Sequence, residues 1–266
     1  MAQFSDRVIV ITGASSGIGR ALALELAPQH PKLVLAARDQ NRLEEVAARC
    51  RQRGADVLVV PTDIAVQEQC ANLIARAIER FGSLDVLVNN AGRAMWARFD
   101  ELADLAVMED IMRLNYLGSV HCTHFALAHL KQSRGLIVAI ASASGLLGAP
   151  LLSGYAASKH AMIGFFESLR IELADSGVGV TLVAPDFVQS EILSRAVDAR
   201  GQPLHASPLD QRKLMTAEAC ARRIVNAMGR RDRLLLTSAR SKWARWGKLL
   251  APKLVDWIAA AVVRAK

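Results

Sequence analysis

Aromatic residues make up only 5% of this 266-residue chain, against 52% hydrophobic residues overall, so aliphatic side chains must fill its core. Linkers are missing as well. No Pro/Gly/Ser-rich stretch divides the sequence, and no internal repeat or low-complexity segment interrupts it. A chain of this length without a divider suits one wound α/β unit better than two average domains. The four cysteines, Cys50, Cys70, Cys122 and Cys220, form no C-x-x-C pair and each falls in a predicted helix. They read as small buried hydrophobes in a reducing compartment rather than a disulfide framework. No signal peptide is expected, because Met1-Ala-Gln-Phe-Ser-Asp-Arg leads straight into a strand, and a cytoplasmic location follows. Charge is absent from the 24 residues Gly135 to Ser158, which mimics a membrane span. Four Ser, four Gly and a Pro within them argue instead for a buried strand and a polar loop. Finally, the first 229 residues carry no net charge. Residues 230–266 hold ten Lys/Arg and two Asp/Glu, a net +8 that equals the whole chain's. A general nucleic-acid reading of the basic balance therefore fails.

What is present is a regular alternation. Short continuous apolar runs, as in buried parallel strands, occur at 7–11, 33–37, 56–60, 84–88, 136–140, 178–183 and 233–237. Helical patterns lie between them at 20–27, 41–53, 66–81, roughly 101–132, 155–174 and 216–228. This order predicts a doubly wound parallel sheet of about seven strands with helices on both faces. Active groups should then gather at the carboxyl ends of the strands. The glycine turn at 12–19, Asp63, Asn89 and Ser142 all follow strands.

Two stretches carry chemistry. Thr12-Gly-Ala-Ser-Ser-Gly-Ile-Gly19 stands between a strand and a helix, where close backbone approach and free helix N–H groups suit a pyrophosphate. Its spacing, G-x-x-x-G-x-G, differs from the commoner G-x-G-x-x-G. Tyr155-Ala-Ala-Ser-Lys159 puts a phenol and an ammonium at i and i+4 on one helix face. A phenol titrates near about 10 and serves poorly at neutral pH unless a nearby cation favours the phenolate. Ser142 can donate a hydrogen bond to a carbonyl or alkoxide oxygen. By itself Y-x-x-x-K is an ordinary helical pair, so its context decides.

In combination these motifs are specific. T-G-x-x-x-G-I-G at 12–19, N-N-A-G at 89–92, Asn115, Ser142 and Y-x-x-x-K at 155–159 resemble the short-chain dehydrogenase/reductase family over roughly residues 5–240. The resemblance implies a single Rossmann-type dinucleotide-binding and catalytic domain at 1–240, followed by a basic amphipathic tail at 241–266. It implies that Gly13, Gly17 and Gly19, with Ser15, Ser16 and Ile18 in the same turn, face the cofactor pyrophosphate. Asp63 and Ile64 would meet the adenine, and Asn89, Ala91 and Gly92 the adenosine side. Pro185, Val188 and Ser190 would lie by the nicotinamide. Tyr155 would be the general acid/base, Lys159 would lower its pKa and bind the nicotinamide ribose, Ser142 would polarise the substrate carbonyl, and Asn115 would hold a relay water. The family's usual Pro-Gly after the sixth strand is Pro185-Asp186 here, which adds a carboxylate near the nicotinamide, and its following Thr is Ser190.

The residue past the second strand reads the cofactor. An acid there accepts from a ribose 2′-hydroxyl, and an Arg pairs with a 2′-phosphate. Arg38 stands in that place, which favours NADP(H); NAD(H) requires Asp39 to turn inward instead. His121, His124 and His129 share one helical stretch without a carboxylate or Cys to complete a ligand set, so no metal is expected. The irregular segment from Asp186 to Leu214 is expected to be a lid over the substrate. Phe187, Ile192, Leu193, Val197 and Leu204, with Met95, Trp96, Leu146, Leu147, Leu151 and Leu152, would form an apolar lining, unless half of them are simply core. That lining suits an apolar ketone, aldehyde or alcohol. The alternatives are a dinucleotide-binding sensor without redox chemistry, or a reductase of carrier-linked acyl chains. In the tail, Trp243, Trp246 and Leu250 share one helical face with Lys242, Arg245 and Lys248 toward the other, and Leu254, Ile258 and Val262 form a second stripe. Peripheral contact with an acidic membrane surface and packing on the domain or on a partner subunit are both open; nucleic acid is not expected. A homo-oligomer is.

Overall fold

A computed structural model describes residues 3–264. Seven strands form one sheet: β1 (Val8–Thr12), β2 (Lys32–Ala37), β3 (Asp56–Pro61), β4 (Val86–Asn89), β5 (Leu136–Ile140), β6 (Gly179–Ala184) and β7 (Leu234–Leu236). Their order is β3-β2-β1-β4-β5-β6-β7, and every pairing is parallel. β1 and β5 are buried at every position, because helices cover both faces. On one face lie α1 (Gly17–Leu26), α2 (Gln40–Arg51) and α7 (Ala217–Arg230), packed through Leu22, Leu26, Leu43 and Ile224 onto Ile9, Ile11, Leu33 and Leu35. On the other lie α3 (Gln67–Phe81), α5 (Gly118–Ser133) and α6 (Ser153–Glu172), packed through Leu73, Leu130 and Phe166 onto Val10, Leu87 and Ile137. The alternation of sides along β1 follows from the two-residue strand period. All four cysteines are buried, free and helical, as their sequence positions suggest.

Chain order reverses between β1 and β4, and this opens the crevice in which an open α/β sheet binds its ligand. Thr12 closes the floor there. Its hydroxyl donates to the Val88 carbonyl at 3.2 Å and accepts from the Asn90 and Ala91 amides at 2.9 and 3.1 Å. The predicted helix over 101–132 divides into α4 (Ala106–Met112), a π turn at Arg113–Leu117, and α5. A π turn widens the helix by one residue and commonly marks a functional position. Here it falls at Asn115.

The segment after β6 is more built than a loose lid. Val197 pairs with Met95 and Pro203, and Val188 with Met215, so the segment is tied to the loop after β4 and to the start of α7. Past β7 the tail forms two helices, α8 (Ala239–Leu250) and α9 (Pro252–Arg264). The side chain of Val262, placed above in the second tail stripe, lies outside the described residues.

α8 and α9 leave most of their large apolar side chains exposed, while the sheet core lies elsewhere. A chain ending at Arg240 should therefore melt cooperatively within a few degrees of the full-length protein. Thermal unfolding followed by circular dichroism checks this; loss of the cooperative transition would contradict a self-sufficient 1–240 domain.

Candidate active site

The crevice holds a cleft of about 670 Å³ running from the glycine turn, past the ends of β2, β4 and β5, to the start of the post-β6 segment. Gly13, Ser15, Ser16, Gly17, Ile18, Arg38, Asp63, Ile64, Ala91 and Gly92 line its first half. Ser142, Tyr155, Lys159, Pro185, Val188 and Ser190 line the second. Of the residues expected at the cofactor, two do not face it. Gly19 packs backward instead: a Cβ there would sit 2.4 Å from the Gly13 carbonyl oxygen, so this glycine lets α1 close on β1 rather than touching a phosphate. Asn89 is 1% exposed and points into the core, donating to Thr123 Oγ1 at 2.9 Å. The residue lining the cleft is Asn90, whose side-chain amide donates to the Thr12 carbonyl at 2.8 Å. Strand period alone explains the exchange, since successive residues at a strand end point to opposite faces.

The turn itself fits a dinucleotide. Gly13 has φ +65°, and a Cβ on it would lie 2.8 Å from the Ala91 Cα, so only glycine lets this turn close on the loop after β4. Ser16 precedes α1 in an extended conformation, and its hydroxyl makes no capping bond. The first amides of α1 and that hydroxyl are thus left to an anion. At the adenosine end, Arg38 is exposed and has no carboxylate partner among the described residues. Asp39 is engaged in capping α2, accepting from the Arg42 amide at 3.1 Å. Arg42 also lines the cleft, and its guanidinium bonds Glu191 of the post-β6 segment at 2.8 Å. The Arg42–Glu191 bridge across the mouth left no signal in the sequence, because the two residues are 149 positions apart.

Tyr155 and Lys159 share the first turns of α6. Lys159 is 2% exposed. Its Nζ donates to the Ile140 carbonyl at the end of β5 at 2.9 Å and stands 5.7 Å from the centre of the Tyr155 ring. Burial pulls this ammonium down to about 7. Burial also pushes the Tyr155 phenol up, opposed by a hydrogen bond from Ser142. The phenol's direction is thus opposite to the lowering expected from Lys159, and desolvation is its first cause. Ser142 follows β5, held by its Oγ accepting from the Ser144 amide at 3.1 Å. The next residue, Ala143, bonds the Pro185 carbonyl at 2.8 Å, which fixes the β5 and β6 ends together.

Asn115 lies behind the cleft and is fully buried. Its Oδ1 accepts from the Arg93 amide at 2.8 Å, and its Nδ2 donates to the Arg93 carbonyl at 3.0 Å and to Ser158 Oγ at 2.9 Å. Both amide protons are used on protein, so the side chain acts first as a clamp between the loop after β4 and α6. Ser158 Oγ in turn donates to the Tyr155 carbonyl at 2.7 Å. Asp186 also departs from expectation. Burial would raise its carboxyl, but hydrogen bonds from Arg240 and Ser238 hold it below the usual carboxylate range. Arg240 meets it with two nitrogens, one at 3.0 Å, and Ser238 Oγ donates at 2.8 Å. Its charge is spent on the start of α8.

Of the expected apolar lining, Leu152, Phe187, Ile192 and Leu193 face the cleft. Met95, Trp96 and Val197 are buried in the cluster beneath them, with Leu151 and Leu204 packed against it. Leu151 takes φ +66°, a left-handed conformation costly for a branched side chain, and accepts from the Ala97 amide at 2.9 Å. Among the described residues, no three His, Cys, Asp or Glu side chains gather as metal ligands.

A parallel sheet with a glycine turn at its switch point and a Tyr/Lys/Ser set beside it, the Tyr and Lys buried, defines a dinucleotide-dependent oxidoreductase. The chain belongs to the short-chain dehydrogenase/reductase family: the model for "short chain dehydrogenase" matches residues 7–201. A relative from Sesamum indicum, "11-beta-hydroxysteroid dehydrogenase A", is 38% identical over 263 residues, covering 96% of this chain and 74% of its own. A short-chain dehydrogenase/reductase from Burkholderia phymatum, solved with NAD, superposes with a TM-score of 0.81 at 29% identity, over 94% of this chain and 96% of its own. An alcohol dehydrogenase from Thermococcus sibiricus, solved with 5-hydroxy-NADP, gives 0.75 at 27% identity, over 86% and 95%.

The buried lysine yields a pH prediction. In the unfolded chain its amine titrates near about 10.4, and in the folded chain at about 7. Between those values the unfolded state binds the extra proton, so this group's contribution to stability rises with pH across that window. Below about 7 both states are charged and the folded state carries the full penalty of a buried ammonium. Lys159→Met should therefore raise the melting temperature at pH 6–7, with the gain shrinking toward pH 10. Melting curves of both proteins across that range decide it; a gain that grows with pH would contradict the burial argument.

Proposed function

We propose that this protein is an NADP(H)-dependent enzyme interconverting an apolar ketone or aldehyde with its alcohol. The observation that carries the reading is the burial of Tyr155 and Lys159, with the half-buried Ser142 bonded to the phenol, beside an apolar wall. The dinucleotide, when bound, supplies the hydride chemistry. Tyr155 holds the proton that the carbonyl oxygen must receive, or takes it from the alcohol in the reverse direction. Burial keeps the phenol protonated and so fit to donate. Ser142, within hydrogen-bond reach of that phenol, donates to the same substrate oxygen and fixes where it sits. Lys159, anchored by Ile140, has further donors for a ribose hydroxyl and a charge that stabilises the phenolate once the proton has left. Asn115 positions the set by clamping Ser158 and the loop after β4, and keeps a lone pair for a relay water.

NADP(H) is preferred because Arg38 is a free cation at the end of β2, whereas Asp39 is committed to its helix cap. Gly13, Gly17 and the α1 amides hold the pyrophosphate, and Asp63 and Ile64 lie at the adenine. The substrate class rests on Leu152, Phe187, Ile192 and Leu193, and agrees with the hydroxysteroid dehydrogenase name of the sesame relative. We place the enzyme in the cytoplasm and as a homo-oligomer. Phe99, Leu105 and Leu117 offer exposed apolar contacts to a second copy.

Tyr155→Phe keeps the ring and removes the proton donor, so turnover should fall by roughly 100-fold or more while cofactor affinity stays nearly unchanged. NADPH oxidation with a panel of apolar ketones, beside a cofactor-binding titration, measures both. Activity within a factor of a few of the wild type would overturn the assigned role. Arg38→Asp should turn the preference toward NAD(H). One charge-assisted contact at roughly 1.5–3 kcal/mol changes the ratio of kcat/KM values by about 10- to 100-fold. A wild type that already prefers NADH would make Asp39 the ribose reader.

A further inference from the structure

Of the twelve large apolar side chains exposed among the described residues, seven lie in α8 and α9. In α8, Trp243, Trp246 and Leu250 are 77, 62 and 82% exposed, spaced i, i+3 and i+7; in α9, Leu254, Trp257 and Ile258 are 56, 64 and 57% exposed, spaced i, i+3 and i+4. Each set is one stripe of a helix. The helices pack closely on each other where Gly247 meets Val255: a Cβ at 247 would lie 3.2 Å from Val255 Cγ2. Lys242, Arg245 and Lys253 flank the stripes and are exposed. No described helix is long and apolar enough to cross a membrane.

Charge decides what covers this surface. Residues 230–266 carry a net +8 in sequence, whereas the remaining 229 residues are neutral, and Lys242, Arg245 and Lys253 lie exposed beside the tryptophans. A second copy meeting the same face would set one net-positive surface against another. A layer with a negative outer face and an apolar interior accepts both features at once, and tryptophan beside lysine suits its boundary. We propose that the α8–α9 hairpin docks on an anionic lipid surface.

Docking reaches the cleft through the hairpin's root. Arg240 holds Asp186 and stands 5.5 Å over the Phe187 ring, and both of those residues line the cleft. Ser241 is buried beside it, and Lys248 Nζ donates to the Leu146 carbonyl at 3.1 Å in the loop after Ser142. One residue of the pocket's apolar wall, Phe187, therefore touches the root of the same hairpin.

The test uses the full chain with vesicles of phosphatidylcholine alone and of phosphatidylcholine with one-third phosphatidylglycerol. Three of the four tryptophans lie in the tail, and Trp96 is buried, so intrinsic emission reports docking directly. Expected are co-sedimentation and a blue shift with the anionic vesicles only, both reversed by high salt. Lys242→Gln, Arg245→Gln and Lys253→Gln together should weaken partitioning by about 100-fold, at roughly 1 kcal/mol per basic residue. That variant should keep its melting temperature and its turnover of a water-soluble ketone. Trp243→Ser with Trp246→Ser should abolish the shift. Absence of wild-type binding overturns the proposal. So does binding that ignores salt and charge, or a dimer in light scattering that the tryptophan substitutions dissociate without any vesicle binding. Because binding is read without turnover, its failure and a failure of the catalytic reading are separate results.

Discussion

The structure turns on an ammonium placed where water cannot reach it. Lys159 sits at the meeting of β5 and α6 with its Nζ on the Ile140 carbonyl, and burial draws its pKa down to about 7. A protein selected only for stability would place an aliphatic side chain there. Tyr155, one turn earlier on α6, is buried by the same packing, and its phenol shifts the opposite way from what a simple ion-pair argument gives. The pair is two desolvated groups at the wall of the cleft. On the proposed catalytic reading, an incoming substrate oxygen would meet there a proton not already lost to water.

The surrounding polar groups keep this set in place. The π turn at Asn115 lets one amide bridge the Arg93 backbone and Ser158, so the loop after β4 and helix α6 move as one body. The chain continues through α5, where Ser119 bonds the Asn115 carbonyl, Thr123 the Ser119 carbonyl, and Asn89 the Thr123 hydroxyl. On the far side, Thr12 and Asn90 lock the two strands that diverge at the switch point. Asp186 and Arg240 extend the rigid frame from the end of β6 to α8. Glu191 closes it over the cofactor half by pairing with Arg42 and Arg195.

The sheet was legible because buried parallel strands are continuous apolar runs between turn residues, and Leu136–Ile140 is placed to the residue. The glycine turn and the Tyr155/Lys159 pair were legible because both are local patterns. What escaped is non-local. Which of Asn89 and Asn90 faces the cleft depends on where β4 ends, and the consecutive asparagines are identical in type. Gly19 differs from Gly13 only in what lies behind it, the Gly13 carbonyl. The destination of the Asp186 carboxylate required knowing that Arg240, 54 positions later, returns to the same corner. The direction of the Tyr155 shift required burial, which periodicity does not measure. Similarly, Met95 and Val197 look like pocket lining in sequence, yet they pair with each other beneath it.

The central claim is that desolvation, not the neighbouring charge, sets the ionisation of Tyr155 before any ligand arrives. The chain has only two tyrosines, so Tyr116→Phe leaves Tyr155 as the sole phenol. A near-ultraviolet absorbance titration of that variant without cofactor reads its ionisation directly. The phenol should remain protonated beyond its ordinary value of about 10. A phenolate forming near neutral pH in the ligand-free protein would contradict the account.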